Sequence, residues 1–332
     1  RALTSSQLNG MADATVQALT STELQALTTA QAQSLTAAML NKLTTDQVGV
    51  LSSTTVTALN TTALSTLVVE QLNALTSTQV QALSSTQVQA LTTAQLSTVS
   101  STQLENLSSA QVRVLTTAQL NGLDDVNLQA LGSADMQALT TVQVSALTSA
   151  QVNKLSTGAE GQLAALTTVQ AQSLTTSQLN GLSEEGLGSL TTAVVRALTT
   201  GQVEKLAVDQ LNLLSSDQVQ ALSSSQVRAL TTAQVAGMGE DQIEYLSSAQ
   251  VQALTTAQFN ALGDLAVQAM GTADVQALTS TQIGSMGTSD VNELSTDQVQ
   301  ALTTAQIRAL TSSQLNGMAD ATVQALTSTE LQ

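Results

Sequence analysis

Two apolar positions, five and three residues apart and recurring every eight, restrict this chain more than any other feature. From Ala2 to Gln332 the sequence reads as 41 consecutive octads on the theme Ala-Leu-Thr-Thr-Ala-Gln-Val-Gln, with one three-residue expansion at 154–164. Numbering the octad so that Ala2 is position 1, position 2 is Leu or Met in every copy except Val99. Position 7 is nearly always apolar, as in Leu8, Val80, Ile243 and Phe259, and position 6 is usually Gln. Such a period marks a repeat architecture, in which each unit buries its apolar face only against neighbours.

One continuous helix cannot satisfy the pattern. Eight residues at about 100° each leave a remainder of roughly 80°, so the Leu row would circle the axis within a few copies. A flat strand fails because odd offsets point to opposite faces. The chain must therefore change direction in every octad. Position 3 is Ser, Thr, Gly, Asn or Asp in all but Ala12, Val68, Ala207 and Ala319. With Gln, Asp or Glu at position 6 it forms the capping-box pattern, for example Thr92 with Gln95 and Ser247 with Gln250. This predicts a helix of about seven residues, from position 4 to position 2 of the next octad, with positions 2 and 7 inside and positions 4, 5 and 8 outside.

Charge supports that placement. Of 24 acidic residues, 19 fall at positions 3 to 6, including Asp46, Asp209, Asp241 and Asp297. All eight basic residues (Arg1, Lys42, Arg113, Lys154, Arg196, Lys205, Arg228 and Arg308) fall at positions 8 or 1. Acid at the start and base at the end of a helix suit its dipole, by roughly 0.3–1 kcal/mol per charge. The expected fold is an all-α solenoid of consecutive short helices, one per octad, over residues 1–332 as a single unit. A β-solenoid with a corner in each octad is the alternative, since Thr and Val are good strand formers. If two octads complete a turn and turns stack at about 10 Å, the solenoid is roughly 200 Å long.

Several classes of function are disfavoured. The net charge is −16 without a basic run, against nucleic-acid or anionic-membrane partners. No stretch approaches a membrane-spanning length of apolar residues. His and Cys are absent, which removes the usual triads, thiolates and zinc sites. The carboxylate pairs Asp124-Asp125, Glu184-Glu185 and Glu240-Asp241 read as solvated first-turn charges, and Gly237-Met238-Gly239 matches no phosphate-binding loop. Weak local calcium binding and ice binding by the Thr-Thr pairs are remote options. Tyr245 and Phe259 are the only aromatics, read as inter-unit packing and core respectively. No catalytic, cofactor-binding or metal-binding residues are expected, and no enzyme activity.

Two larger features stand out. At Ser156-Thr-Gly-Ala-Glu-Gly-Gln the unit expands to eleven residues, with Gly158 and Gly161 flanking Glu160, and reads as a surface bulge. Residues 1–25 recur unchanged at 308–332, implying a 307-residue super-repeat. The text ALTTAQ, at Ala90, Ala229, Ala253 and Ala301, resembles giant secreted bacterial proteins built of LTTxQ octads, adhesin-like or surface proteins. That resemblance covers the chain and implies export and a structural role at the cell surface. The expected function is an extracellular structural repeat protein in a fibre, tube or sheath, whose partner is itself. An adhesin-like solenoid binding a glycan or protein is the alternative.

Overall fold

The computed structural model describes residues 3–262 and 264–326, with the backbone alone at 264–266. Arg1 and the cap expected at Gly263 lie outside the described residues, as do the last six residues of the second copy of 1–25. Among the described residues the chain is all-helical, with 39 short helices packed in succession and no strand. The helical solenoid reading holds, and the β-solenoid alternative is set aside. The helices divide into two compact units, Arg1–Ser173 and Leu174–Gln332. The boundary falls inside an octad, where the sequence pattern does not change.

Each helix is four to six residues long, shorter than the seven predicted. The missing residue is the Leu of position 2. In the helix Ser77–Ala82, Thr76 opens in an extended conformation (φ −70°, ψ 160°) and Leu83 closes in one close to extended (φ −59°, ψ 130°). Its N–H still donates to the Val80 carbonyl at 3.1 Å. The Leu thus both ends the helix and redirects the chain, so the change of direction comes at positions 2 and 3 together. The core rows are as expected: Val80 and Leu83 are buried, while Ser77, Thr78 and Gln81 are exposed. Position 6 adds a third inward row, because Gln79, Gln87 and Gln226 are buried as well.

The turn length differs from the two octads supposed from sequence. Packing pairs helices three apart, such as Ser53–Ala58 with Ser77–Ala82 and Thr192–Ala197 with Ser216–Ala221. The ladder of hydrogen bonds between turns centres on a separation of 28 residues, three and a half octads, as in Gln79 to Leu51 and Gln226 to Leu198. Both units follow this period. A single octad supplies too little apolar surface to enclose a core, and three to four short helices around each turn do so.

The expansion is absorbed in one place. Ser156 caps Gln162, six residues on instead of three, with Ser156 N–H to Gln162 Oε1 at 3.0 Å and Gln162 N–H to Ser156 Oγ at 3.0 Å. Residues 158–160 are exposed, Gly158 takes φ +85°, and a Cβ on the buried Gly161 would stand 2.4 Å from the Thr157 carbonyl. Gln162 still reaches the carbonyls of Leu128 and Leu131. Deleting Thr157–Ala159 should therefore restore an ordinary octad and leave thermal stability unchanged or slightly raised, since a shorter loop costs less to close. Deleting Thr86–Val88 should melt the adjoining turns. Equal losses from both deletions in a thermal scan would show that the bulge is structural.

Candidate functional site

A helix of one turn leaves most of its N–H and C=O groups without partners of its own, and these helices find them in other turns. Around Ser77–Ala82 the pairing can be followed group by group. The Thr76 N–H and hydroxyl both donate to Gln79 Oε1, at 2.7 and 3.1 Å, and Thr76 Oγ1 accepts from the Gln79 N–H at 3.3 Å. Gln79 Nε2 donates to the Val48 and Leu51 carbonyls of an earlier turn at 2.8 and 2.7 Å. At the other end, Gln111 Nε2 donates to the Val80 and Leu83 carbonyls at 2.7 and 2.9 Å. Thr57 Oγ1 reaches the Ala82 carbonyl at 3.1 Å. The capping box was legible in sequence; its second function was not. Each Gln clamps its own helix start and pins the end of a helix in the preceding turn.

Position 8 supplies the reverse contact. Gln89, Gln129 and the Arg228 guanidinium each donate to a carbonyl 25 residues later, at 3.1, 2.7 and 3.4 Å. Arg228 thus lies at the end of its own helix and meets a helix end of the following turn, where the dipole favours a positive charge. Lys42 and Lys154 also pair with Asp13 and Asp125, at 3.3 and 3.2 Å.

Octads whose third residue cannot cap are completed from another turn. Val68, Ala207, Gly239 and Ala319 start helices without a side-chain cap. In each case the N–H donates to the Oδ1 of an Asn 27 residues earlier: Asn41, Asn180, Asn212 and Asn292, at 2.8–3.1 Å. The same four side chains donate Nδ2 to the carbonyls of Thr66, Lys205, Gly237 and Gly317. Asn73 serves Ser100 in the same way. In the octads of Val68, Ser100 and Ala207 the displaced partner is the Gln of position 6, and the Oε1 atoms of Gln71, Gln103 and Gln210 are buried without a hydrogen bond. Replacing Asn180 with Ala should cost about 1 kcal/mol and speed amide exchange at Ala207. A second change, Ala207→Thr, should recover the loss by returning the cap to Gln210. Failure of that rescue would show that the Asn contact carries little stability.

Position 6 also accepts carboxylates, under two conditions. Asp135, Asp274 and Asp290 occur where position 3 is Gly, and accept from the N–H of Gly132, Gly271 and Gly287 at 3.3, 3.1 and 2.9 Å. Asp135 and Asp274 take a further hydrogen bond from the hydroxyls of Ser109 and Ser248, at 2.8 and 2.7 Å. Glu23 is exposed, and hydrogen bonds from the Thr20 N–H and hydroxyl hold its carboxyl below the ordinary carboxylate range. That cap contributes stability above the unfolded carboxylate value and loses it as pH falls through the lower folded value.

The three carboxylate pairs stay in first helical turns. Asp124 caps the Asn127 N–H at 2.8 Å and Asp125 meets Lys154, while Glu184-Glu185 and Glu240-Asp241 open the helices Glu184–Gly188 and Glu240–Glu244. Among the described residues no group of three or more acidic, His or Cys side chains is placed to hold a metal ion. No helix of the described residues is long and apolar enough to cross a membrane. Phe259 is buried in the core row, and Tyr245 is half-buried at the end of Glu240–Glu244. Gly237 closes Thr232–Ala236 against Val208, whose Cγ1 would lie 2.7 Å from an added Cβ.

A cavity of about 30 Å³ lies in the first unit beside Val99, the one position-2 residue that is neither Leu nor Met. Gln103, whose Oε1 is buried without a hydrogen bond, lines it with Leu72, Leu96 and Leu104. Val99→Leu should fill part of it and stabilise the unit by up to about 1 kcal/mol in urea denaturation. A loss of stability would show that the site is already filled.

What these contacts define is a tandem-repeat protein, an α-solenoid whose polar residues are spent on joining turns. Residues 126–158, 213–248 and 267–304 each match the family model of the ALTTAQ repeat. No curated protein matches the chain.

Proposed function

We propose that this chain is an extracellular structural repeat protein, part of a fibre, tube or sheath on a bacterial surface that grows by stacking and lateral self-association. The observation that carries the reading is the use of the recurring octad residues themselves. Gln, Ser, Thr and Asn are committed to caps and to bonds between turns, as in Gln79, Thr76 and Asn41. A repeat built this way uses its recurring polar residues to hold turn to turn and leaves its outward rows free to vary.

Those rows suit association between copies. They are mostly small and uncharged, with Val126, Val142 and Val169 about two-thirds exposed at position 5. Residues 1–25 recurring at 308–332 give a 307-residue super-repeat, and identical surfaces returned at a fixed advance are what open, heterologous assembly requires. Electron microscopy of the native material in negative stain tests the reading. Uniform filaments or tubes with a constant axial repeat are expected. Dispersed monomers at high concentration would favour an adhesin-like solenoid binding a glycan or protein.

A further inference from the structure

In an Asn-Gly dipeptide the backbone nitrogen can approach the preceding side-chain amide without hindrance, because Gly has no Cβ. The dipeptide occurs at 9–10, 121–122, 180–181 and 316–317, and the two inner copies form a matched pair. Residues 116–123 read Thr-Thr-Ala-Gln-Leu-Asn-Gly-Leu, and residues 175–182 differ from them only by Ser at 177. Each Asn ends a five-residue helix, Thr117–Asn121 or Thr176–Asn180, and Gly122 and Gly181 close these helices at φ −86° and −92°. The Gly122 N–H donates to the Ala118 carbonyl at 3.1 Å, and the Gly181 N–H to the Ser177 carbonyl at 3.0 Å. Sequence and backbone are alike at the two sites. The side-chain amides are not.

Asn180 is clamped to the next turn. Its Nδ2 donates to the Lys205 carbonyl at 3.0 Å, and its Oδ1 accepts from the Ala207 N–H at 2.9 Å. The residues 25 and 27 positions after Asn121 are Ala146 and Thr148. Thr148 is already committed, because its N–H and hydroxyl donate to Gln151 Oε1 at 3.1 and 3.2 Å. Asn121 is exposed, and its side chain has no hydrogen-bond partner among the described residues. Gly122, by contrast, is required where it stands, since a Cβ there would run into Thr93 Cγ2. Packing thus demands the Gly of this pair and leaves the amide before it free.

We infer that Asn121 is a modification site, at which the folded chain converts asparagine to aspartate and isoaspartate, while the clamp between turns protects Asn180. The Gly122 nitrogen attacks Asn121 Cγ, and the bond from Cγ to Nδ2 breaks. Ammonia leaves with the proton that the Gly122 nitrogen gives up, and a cyclic imide closes. Water then adds to one of the two imide carbonyls, and the bond from that carbon to the Gly122 nitrogen breaks. Addition at the main-chain carbonyl gives aspartate with its side chain in the main chain, which is isoaspartate; addition at Cγ gives aspartate. One water is consumed and one ammonia released, with no oxidant and no partner protein. For the nitrogen to turn toward Cγ, the end of the helix must open. A one-turn helix whose last side chain is held by nothing opens more readily than one tied to the next turn. The product sets a carboxylate at the C-terminal end of Thr117–Asn121, where the helix dipole disfavours it. The site does not depend on whether copies of the chain assemble.

The test is incubation of the full chain in mildly alkaline buffer, followed by digestion and mass spectrometry of the peptides holding Asn121 and Asn180. Conversion of amide to acid at Asn121 is expected to run about tenfold faster than at Asn180. In concentrated urea the two rates should become equal, because the local sequences match. Ala207→Thr returns the cap of that helix to Gln210 and frees Asn180, so conversion there should rise toward the rate at Asn121. Equal rates at the two sites in the folded chain, or faster conversion at Asn180, would overturn the assignment. Failure of Ala207→Thr to raise conversion at Asn180 would show that the clamp is not what protects it, and the account would fall.

Discussion

Gln226→Glu should destabilise the second unit by about 3–5 kcal/mol at neutral pH, although the two side chains have the same shape. In the native protein the Ser223 N–H and hydroxyl donate to Gln226 Oε1 at 2.7 and 2.8 Å, and Nε2 donates to the Val195 and Leu198 carbonyls at 3.0 and 2.8 Å. A carboxylate keeps the first pair of contacts and loses the second, because it has no proton to give. It would instead set negative charge, in a buried site, against two carbonyl oxygens. Both effects favour the neutral acid and raise the folded pKa of the new Glu. An unfolded Glu titrates near 4.3. The deficit should therefore be small below that value, where a protonated oxygen can still donate. It should grow as pH rises toward the raised folded pKa and level off above it. Amide exchange at Leu198 and Val227, followed from pH 4 to pH 8, reads this directly. A deficit that does not change with pH would mean the site hydrates and the Gln bridge contributes little.

That prediction depends on a feature hidden from a reading of single octads. The capping box, the core rows at positions 2 and 7, the segregation of charge and the bulge at 154–164 are all local relations, decided within about eight residues. Burial of position 6 and the length of a turn are decided between segments three to four octads apart, where the eight-residue period has no say. One trace of the turn was present in the sequence. Val68, Ala207 and Ala319, three of the four residues that break the rule at position 3, each stand 27 residues after an Asn. The fourth, Ala12, is the counterpart of Ala319 in the repeated block. Because 27 is not a multiple of eight, the pairing marks spatial neighbours and would have excluded a turn of two octads.

Leu222→Asp should open the second unit locally, at a cost of about 4 kcal/mol or more, while Ser225→Asp three residues later should change stability by less than about 0.5 kcal/mol. Leu222 is 5% exposed and its carbonyl accepts from Gln250 Nε2 at 2.8 Å, so the residue belongs to the core and to the ladder between turns. Ser225 lies on an exposed row. Burying the new carboxylate without a partner is unfavourable, and the cheaper response is for the helices on either side to unfold. How far the opening spreads depends on how stability is distributed. In a stack each unit is held by near neighbours, so loss of one contact layer is felt across about one turn on each side. Limited proteolysis should therefore give first cuts near residue 222, with the unit Arg1–Ser173 persisting as a resistant fragment. The terminal turns near Leu326 should stay protected longer than the turns containing Val219 and Gln250. Simultaneous digestion of the entire chain would instead require one cooperative core, and with it a different account of how the octads hold together.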